Sequence, residues 1–169
     1  LTSCGEQVVN PEKINSLPPV FPDYTGVTIP ASIAPLNFVL TTNYEQIDVT
    51  ITGKGGVIHL QESRVAAISP KEWSALLDKS KGDSLQVIVA AKENGKWKQY
   101  LPFSVYVSSE PIDYGLVYRL IAPGYEVWSK MGIYQTDLHT AEQSTILDNK
   151  LMAPNCMNCH TFPQNNPHK

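Results

Sequence analysis

From Pro35 to Ser109 apolar and polar positions alternate in short runs, the pattern of half-buried β-strands. Leu36 to Thr42 is apolar and β-branched, and in Gln46 to Thr52 the side chains of Ile47, Val49 and Ile51 share one face. Val57 to Gln61 follows a turn rich in glycine (Gly53, Gly55, Gly56), and Arg64 to Ile68 extends or pairs with it. Ser84 to Lys92 and Lys96 to Tyr100 flank Glu93-Asn94-Gly95, whose Asn-Gly step is a strong hairpin signal because both residues tolerate positive φ. Phe103, Val105 and Val107 alternate next. About six strands in roughly 75 residues is the density of a β-sandwich.

The period changes once. Trp73, Leu76 and Leu77 fall at helical spacing behind Ser69-Pro70-Lys71-Glu72, which reads as a capping box with Ser69 at the N-cap, Pro70 in the first helical position and Glu72 reaching back. Lys79-Ser80-Lys81-Gly82 ends this helix of about ten residues with positive charge and a glycine. The Trp and Leu stripe is core, closing one end of the sandwich.

Upstream, Asn10 to Pro35 holds Pro11, Pro18, Pro19, Pro22, Pro30 and Pro35 and no sustained period, which reads as an extended spacer. Val20, Phe21, Tyr24, Val27 and Ile29 are apolar for a free linker, so an edge strand packed on the core is the alternative. The expected organisation is a lipid-anchor remnant and Pro-rich tether over 1–34, a mainly β, immunoglobulin-like β-sandwich with one short helix over 35–124, and an irregular haem-attachment segment over 125–169.

Composition narrows the classes. Thirteen Lys and Arg against sixteen Asp and Glu give a net charge of −3, which lacks the clustered basic excess that phosphate neutralisation needs. Charged residues make up 17% of the chain and hydrophobic residues 42%, so charge repulsion does not keep it from folding. Apolar runs such as Val87 to Ala91 are far shorter than the ~18 residues of a membrane span, so the expected membrane attachment is covalent. The body shows no G-x-S-x-G elbow, no phosphate-cradling glycine loop and no H-E-x-x-H. His59 stands alone in an apolar strand and reads as a core histidine, while Glu110 and Asp113 are split by Pro111 and read as loop residues. No enzyme is expected.

The two ends carry the chemistry. Cys156-Met157-Asn158-Cys159-His160 is a C-x-x-C-H sequence. Two thiols three residues apart reach the two vinyl groups of one haem, and the adjacent imidazole is placed to ligate the iron. With three Cys and four His in the chain, a chance occurrence is expected on the order of once per thousand such sequences. The alternatives are a zinc site using Cys156, Cys159, His160 and His168, a redox pair, and a plain disulfide. At the start, Leu1-Thr2-Ser3-Cys4 resembles the lipobox that ends a bacterial lipoprotein signal. In that kind of signal an apolar residue stands three before a Cys whose thiol receives a diacylglycerol, which implies lipidation at Cys4 and a sequence that begins inside a precursor. The alternative is a stray thiol in a frayed terminus. Lipidation and c-type haem maturation belong to the same extracytoplasmic compartment.

Three further stretches carry a family resemblance: Tyr118 to Tyr125, Lys130 to Gln135, and Asn155 to Phe162. They resemble a family of Bacteroidetes lipoproteins that look like an immunoglobulin-like N-terminal domain, a C-x-x-C-H segment and a TolB-like β-propeller. The resemblance covers mainly residues 110 to 169 and implies architecture more than activity; this sequence ends at Lys169, where the family continues into the propeller. Only nine residues follow His160, so the iron's distal ligand is expected from His168, a missing part, water or upstream. Met131, inside the resembling segment, is the first candidate and His139 the second.

The expectation is therefore a periplasmic or cell-surface lipoprotein of a Gram-negative bacterium, anchored through Cys4 to a membrane such as the outer membrane. It would carry one haem c and pass single electrons to a redox partner protein. A non-enzymatic adaptor whose C-x-x-C-H is disulfide-bonded or vestigial, presenting a propeller or using Tyr100, Tyr106, Tyr114 and Tyr118 on its surface, is the alternative. A haem-based sensor with an open sixth position is the third.

Overall fold

A computed structural model describes residues 7–121 and 131–150. Two compact units divide at Pro111/Ile112. The fold is mainly β and sandwich-like, with one helix among the described residues.

In the first unit the alternation seen in the sequence becomes a sheet. Strands β5 (Gln46–Gly53), β6 (Gly56–Glu62), β7 (Ser84–Glu93), β8 (Lys96–Gln99) and β9 (Phe103–Ser108) form its centre. β5 pairs antiparallel with both β6 and β7, with Val49 opposite Leu60 on one side and Val89 on the other. The far edge of β7 is shared: β8 pairs with its second half and β9 with its first, antiparallel in each case. Period-two geometry puts Ile47, Val49, Ile51, Leu85, Val87 and Val89 on one face, and all six are buried. Asn94 (φ 50°) and Gly95 (φ 74°) make the turn between β7 and β8, two successive positive φ values of the kind that suits the strand twist.

The layer facing this sheet is thin. It consists of the helix α1 (Pro70–Lys79), a two-stranded antiparallel ladder of β2 (Val20–Phe21) with β4 (Val39–Leu40), and the segment around Phe38. Trp73, Leu76 and Leu77 of α1 are buried in the common core with Val20, Phe38 and Leu40. The Trp73 indole N–H donates to the Ile33 carbonyl at 3.0 Å, and the Ile68 N–H donates to Asn37 Oδ1 at 2.9 Å, which fixes the entry to the helix. Ser69 is the N-cap and Pro70 opens the helix as expected, but the Ser69 side chain makes no capping hydrogen bond; only its carbonyl serves, accepting from Trp73 N–H at 2.9 Å. The C-terminal half of α1 lies close on the β5–β6 turn. A Cβ on Gly55 would fall 2.7 Å from the Leu76 carbonyl oxygen, so glycine permits this approach.

Two parts of the sequence reading change. The proline-rich segment is docked from Glu12 onward rather than extended: β1 (Glu12–Lys13) runs parallel to β8, and β3 (Thr28–Pro30) runs parallel to β9. Burial explains this, since Val20 and Ile29 sit in the core, and Pro30 is tolerated because β3 is an edge strand. Leu36 to Thr42 contributes only the two residues of β4, with Phe38 bridging to Ala66.

The second unit contains an antiparallel sheet in the order β10 (Gly115–Leu120), β11 (Gly132–Asp137), β12 (Gln143–Asp148). β10 therefore pairs within this unit, although its residues fall in the span first read as sandwich, and 132–148 is an antiparallel hairpin, with a register shift between Ile133 and Tyr134, within the segment first read as irregular. No helix among the described residues is long and apolar enough to cross a membrane.

Candidate functional site

Cys4, Cys156, Cys159, His160 and His168 lie outside the described residues. Met131 and His139 lie within them, and the β11–β12 hairpin separates the two.

The hairpin has two dissimilar ends. At the tip, Asp137 Oδ1 accepts the backbone N–H of His139 at 2.7 Å and of Thr140 at 3.0 Å, an Asx-type turn. These two amides hold the Asp137 carboxyl below the usual carboxylate range. Ala141, at φ 62°, donates its N–H to the Asp137 carbonyl at 2.8 Å and completes the reversal. His139 is exposed here. At the other end Asn149 donates its N–H to the Met131 carbonyl at 3.1 Å, and the Asn149 side chain is buried. The six residues of β11 separate these ends by about 20 Å at ~3.3 Å per residue.

Along β10 and β11, Tyr118 lies opposite Tyr134. Their rings stack with centroids 6.4 Å apart and planes 24° apart, an offset arrangement that π-electron quadrupoles favour. The Tyr118 hydroxyl is 3.2 Å from Thr136 Oγ1 and also accepts from the Gln143 side-chain amide, so one aromatic ties all three strands together. Leu116 and Leu120 share that face at residues i−2 and i+2 and are exposed.

The chain enters the C-x-x-C-H segment from the Met131 end. Six residues separate Asn149 from Cys156, seven Cα-to-Cα steps that reach at most about 25 Å at full extension. Met131, beside Asn149, is therefore nearer the point from which the chain departs for Cys156 than His139 is.

His59 is not a core histidine. It sits on β6 on the face opposite Ile58, mostly exposed, and its Nε2 is 2.8 Å from Asp48 Oδ2. Gln61 Nε2 donates to the same oxygen at 3.2 Å. The sequence carried the signal: Asp48 alternates with the buried Ile47 and Val49, and His59 lies between Ile58 and Leu60, so both point to the outer face. Tyr100 is buried rather than a surface aromatic, whereas Tyr106 is exposed. Glu110 and Asp113 are exposed, and the Glu110 N–H donates to Ser108 Oγ at 3.0 Å.

A gap of about 10 Å³ inside the first unit is lined only by apolar side chains, among them Tyr24, Phe38, Trp73 and Phe103. It is the size of a single water and lacks the polar partners a water needs. Two larger open clefts, about 560 Å³ each, flank Tyr44. The carboxylates in the first are already engaged: Glu45 Oε1 accepts from Gly95 N–H at 3.1 Å, and Glu93 pairs with Lys98 at 2.8 Å. Among the described residues no three His, Cys, Asp or Glu side chains stand close enough to hold a metal ion. No protein-family model matches the chain, and no curated protein matches it.

Proposed function

We propose that this chain is a non-enzymatic extracytoplasmic lipoprotein that carries one covalently bound c-type haem and passes single electrons to a partner protein. The observation that carries the proposal is the sequence Cys156-Met157-Asn158-Cys159-His160. Its donor set suits the group: two thiols spaced for two thioether bonds and an imidazole beside the second. When bound, the haem supplies a one-electron couple at its iron. Cys156 and Cys159 would hold it through thioether bonds, His160 would ligate its iron, and Met131, beside Asn149 where the chain departs for Cys156, would be the first candidate for a second ligand, with His139 second. Cys4 carries the lipid that holds the chain at a Gram-negative membrane, and the first unit serves as scaffold.

The test uses protein matured in a host with active c-type haem attachment. Haem should stay with the denatured polypeptide of the parent chain and be released from the Cys156→Ser/Cys159→Ser double variant. Complete release from the parent chain would overturn the proposal.

A second reading is an adaptor lipoprotein in which Cys156 and Cys159 form a disulfide. It is favoured by the exposed Leu116, Leu120 and Ile146 of the small sheet, a surface suited to a protein partner or a neighbouring propeller domain. A parent chain two hydrogens light and without haem would select it.

A further inference from the structure

We propose that the first unit rests on the lipid surface by the corner where β1 meets β8, with Leu17 and Leu101 touching the bilayer. The inference rests on lipidation at Cys4 and adds an orientation to it.

The length of the tether is the first argument. A spacer running from Cys4 to Pro35 in polyproline II form would let the domain stand roughly 100 Å from its anchor at ~3.1 Å per residue. Docking of the proline-rich segment removes most of that length. β1 begins at Glu12 and is hydrogen-bonded alongside β8, with Glu12 opposite Lys98 and Lys13 opposite Gln99. Seven residues then lie between Cys4 and the sheet, eight Cα-to-Cα steps that reach at most about 29 Å even when fully extended. The edge of the sheet that carries β1 is the one nearest the anchor, and the edge that carries β6 is the far one, since the order across the sheet is β1-β8-β7-β5-β6. Four strand spacings of ~4.8 Å put β6 roughly 19 Å further away.

The chemistry of that corner is the second argument. After β1 the chain keeps to the same edge: the Ile14 N–H donates to the Gln99 carbonyl and the Leu101 N–H to the Ser16 carbonyl, both at 2.9 Å. This second bond sets Leu101 beside Leu17, and the two are 42% and 50% exposed. A single exposed apolar residue is ordinary on any surface. Here Leu17 and Leu101, with Val9 in the connecting segment, fall on the short stretch of chain nearest the anchor and on its hydrogen-bonded neighbour. Lys13 stands at the same edge, its Nζ 2.7 Å from Gln99 Oε1 and exposed, a cation placed for lipid phosphate.

Val57 supplies the control, because it is 63% exposed and apolar but lies on β6 at the far edge. Leu17→Trp, Leu101→Trp and Val57→Trp variants of the full, lipidated chain would be reconstituted into phosphatidylethanolamine–phosphatidylglycerol vesicles, with and without brominated acyl chains. Bromine should quench the added fluorescence at positions 17 and 101 at least twofold more than at 57. Equal quenching at the three sites, or none at 17 and 101 in protein whose mass shows acyl chains on Cys4, would overturn the orientation while leaving the anchor intact. A mass showing unacylated Cys4 in protein from a lipoprotein-processing host would overturn the anchor itself, and the orientation with it.

Discussion

Asn149 donates its backbone N–H to the carbonyl of Met131 at 3.1 Å, so the last bond of the β11–β12 hairpin joins the first distal-ligand candidate to the point where the chain departs for Cys156. His139 sits at the opposite end, locked into the turn by Asp137. The two candidates named in the sequence thus stand at opposite ends of one hairpin.

On the haem reading, Met131→Ala should remove the thioether–ferric charge-transfer absorption and lower the reduction potential, because a Met axial ligand raises it. His139→Ala should leave both unchanged. Visible spectra and potentiometry of the two haem-loaded variants check this, and a shift in His139→Ala alone would reverse the assignment.

Acid should loosen the tip of the same hairpin. The two amides bonded to Asp137 depress its folded pKa, so the contribution is complete above the unfolded carboxyl value of about 4 and is lost as pH falls through the lower folded value. Amide exchange at His139 and Thr140, corrected for intrinsic pH dependence, should therefore accelerate below about pH 4 in the parent chain. In Asp137→Ala the fast exchange should already be present at neutral pH.

Gly55→Ala should destabilise the first unit by about 1–3 kcal/mol, the usual cost of overpacking, because the new Cβ would meet the Leu76 backbone at 2.7–2.8 Å. The adjacent Gly56 meets nothing within 4 Å, but its φ of 130° is one that L side chains rarely adopt. Urea midpoints of the two alanine variants should both fall. Relief of the Gly55→Ala loss by a smaller residue at position 76 is not expected, since the clash is with backbone.

Leu77→Ala should cost about 2–5 kcal/mol, since Leu77 is fully enclosed between α1 and the sheet. Denaturant unfolding followed by Trp fluorescence reads this directly.

How far the fold was legible follows from the reach of each signal. Strands β5 to β9 were visible because Ile47, Val49 and Ile51 alternate over enough residues to define a period, and because Asn94-Gly95 marks its own turn. α1 was visible for the same reason at the helical period, although the hydroxyl of Ser69 goes unused. Strands β1 to β4 have two or three residues each, too few to show a period, and six prolines between Asn10 and Pro35 suggested a spacer. What docks that segment is the burial of Val20 and Ile29 together with the pairing of β1 to β8 and of β3 to β9, partners more than seventy positions away, which no local pattern encodes. His59 was misplaced because its strand was read as apolar without assigning its two faces. The C-x-x-C-H motif stands out in the sequence because its spacing is local, two thiols and an imidazole within five residues. A second iron ligand has no such local spacing, so Met131 and His139 came only as candidates.

The central claim is that Cys156, Cys159 and His160 hold a haem, and a reduced-minus-oxidised visible spectrum with intact mass, taken on protein matured where c-type attachment is active, tests it most directly. The account predicts a sharp c-type signal and a polypeptide heavier by one haem. A featureless spectrum with a mass two hydrogens below the reduced chain would contradict it and make Cys156 and Cys159 a disulfide.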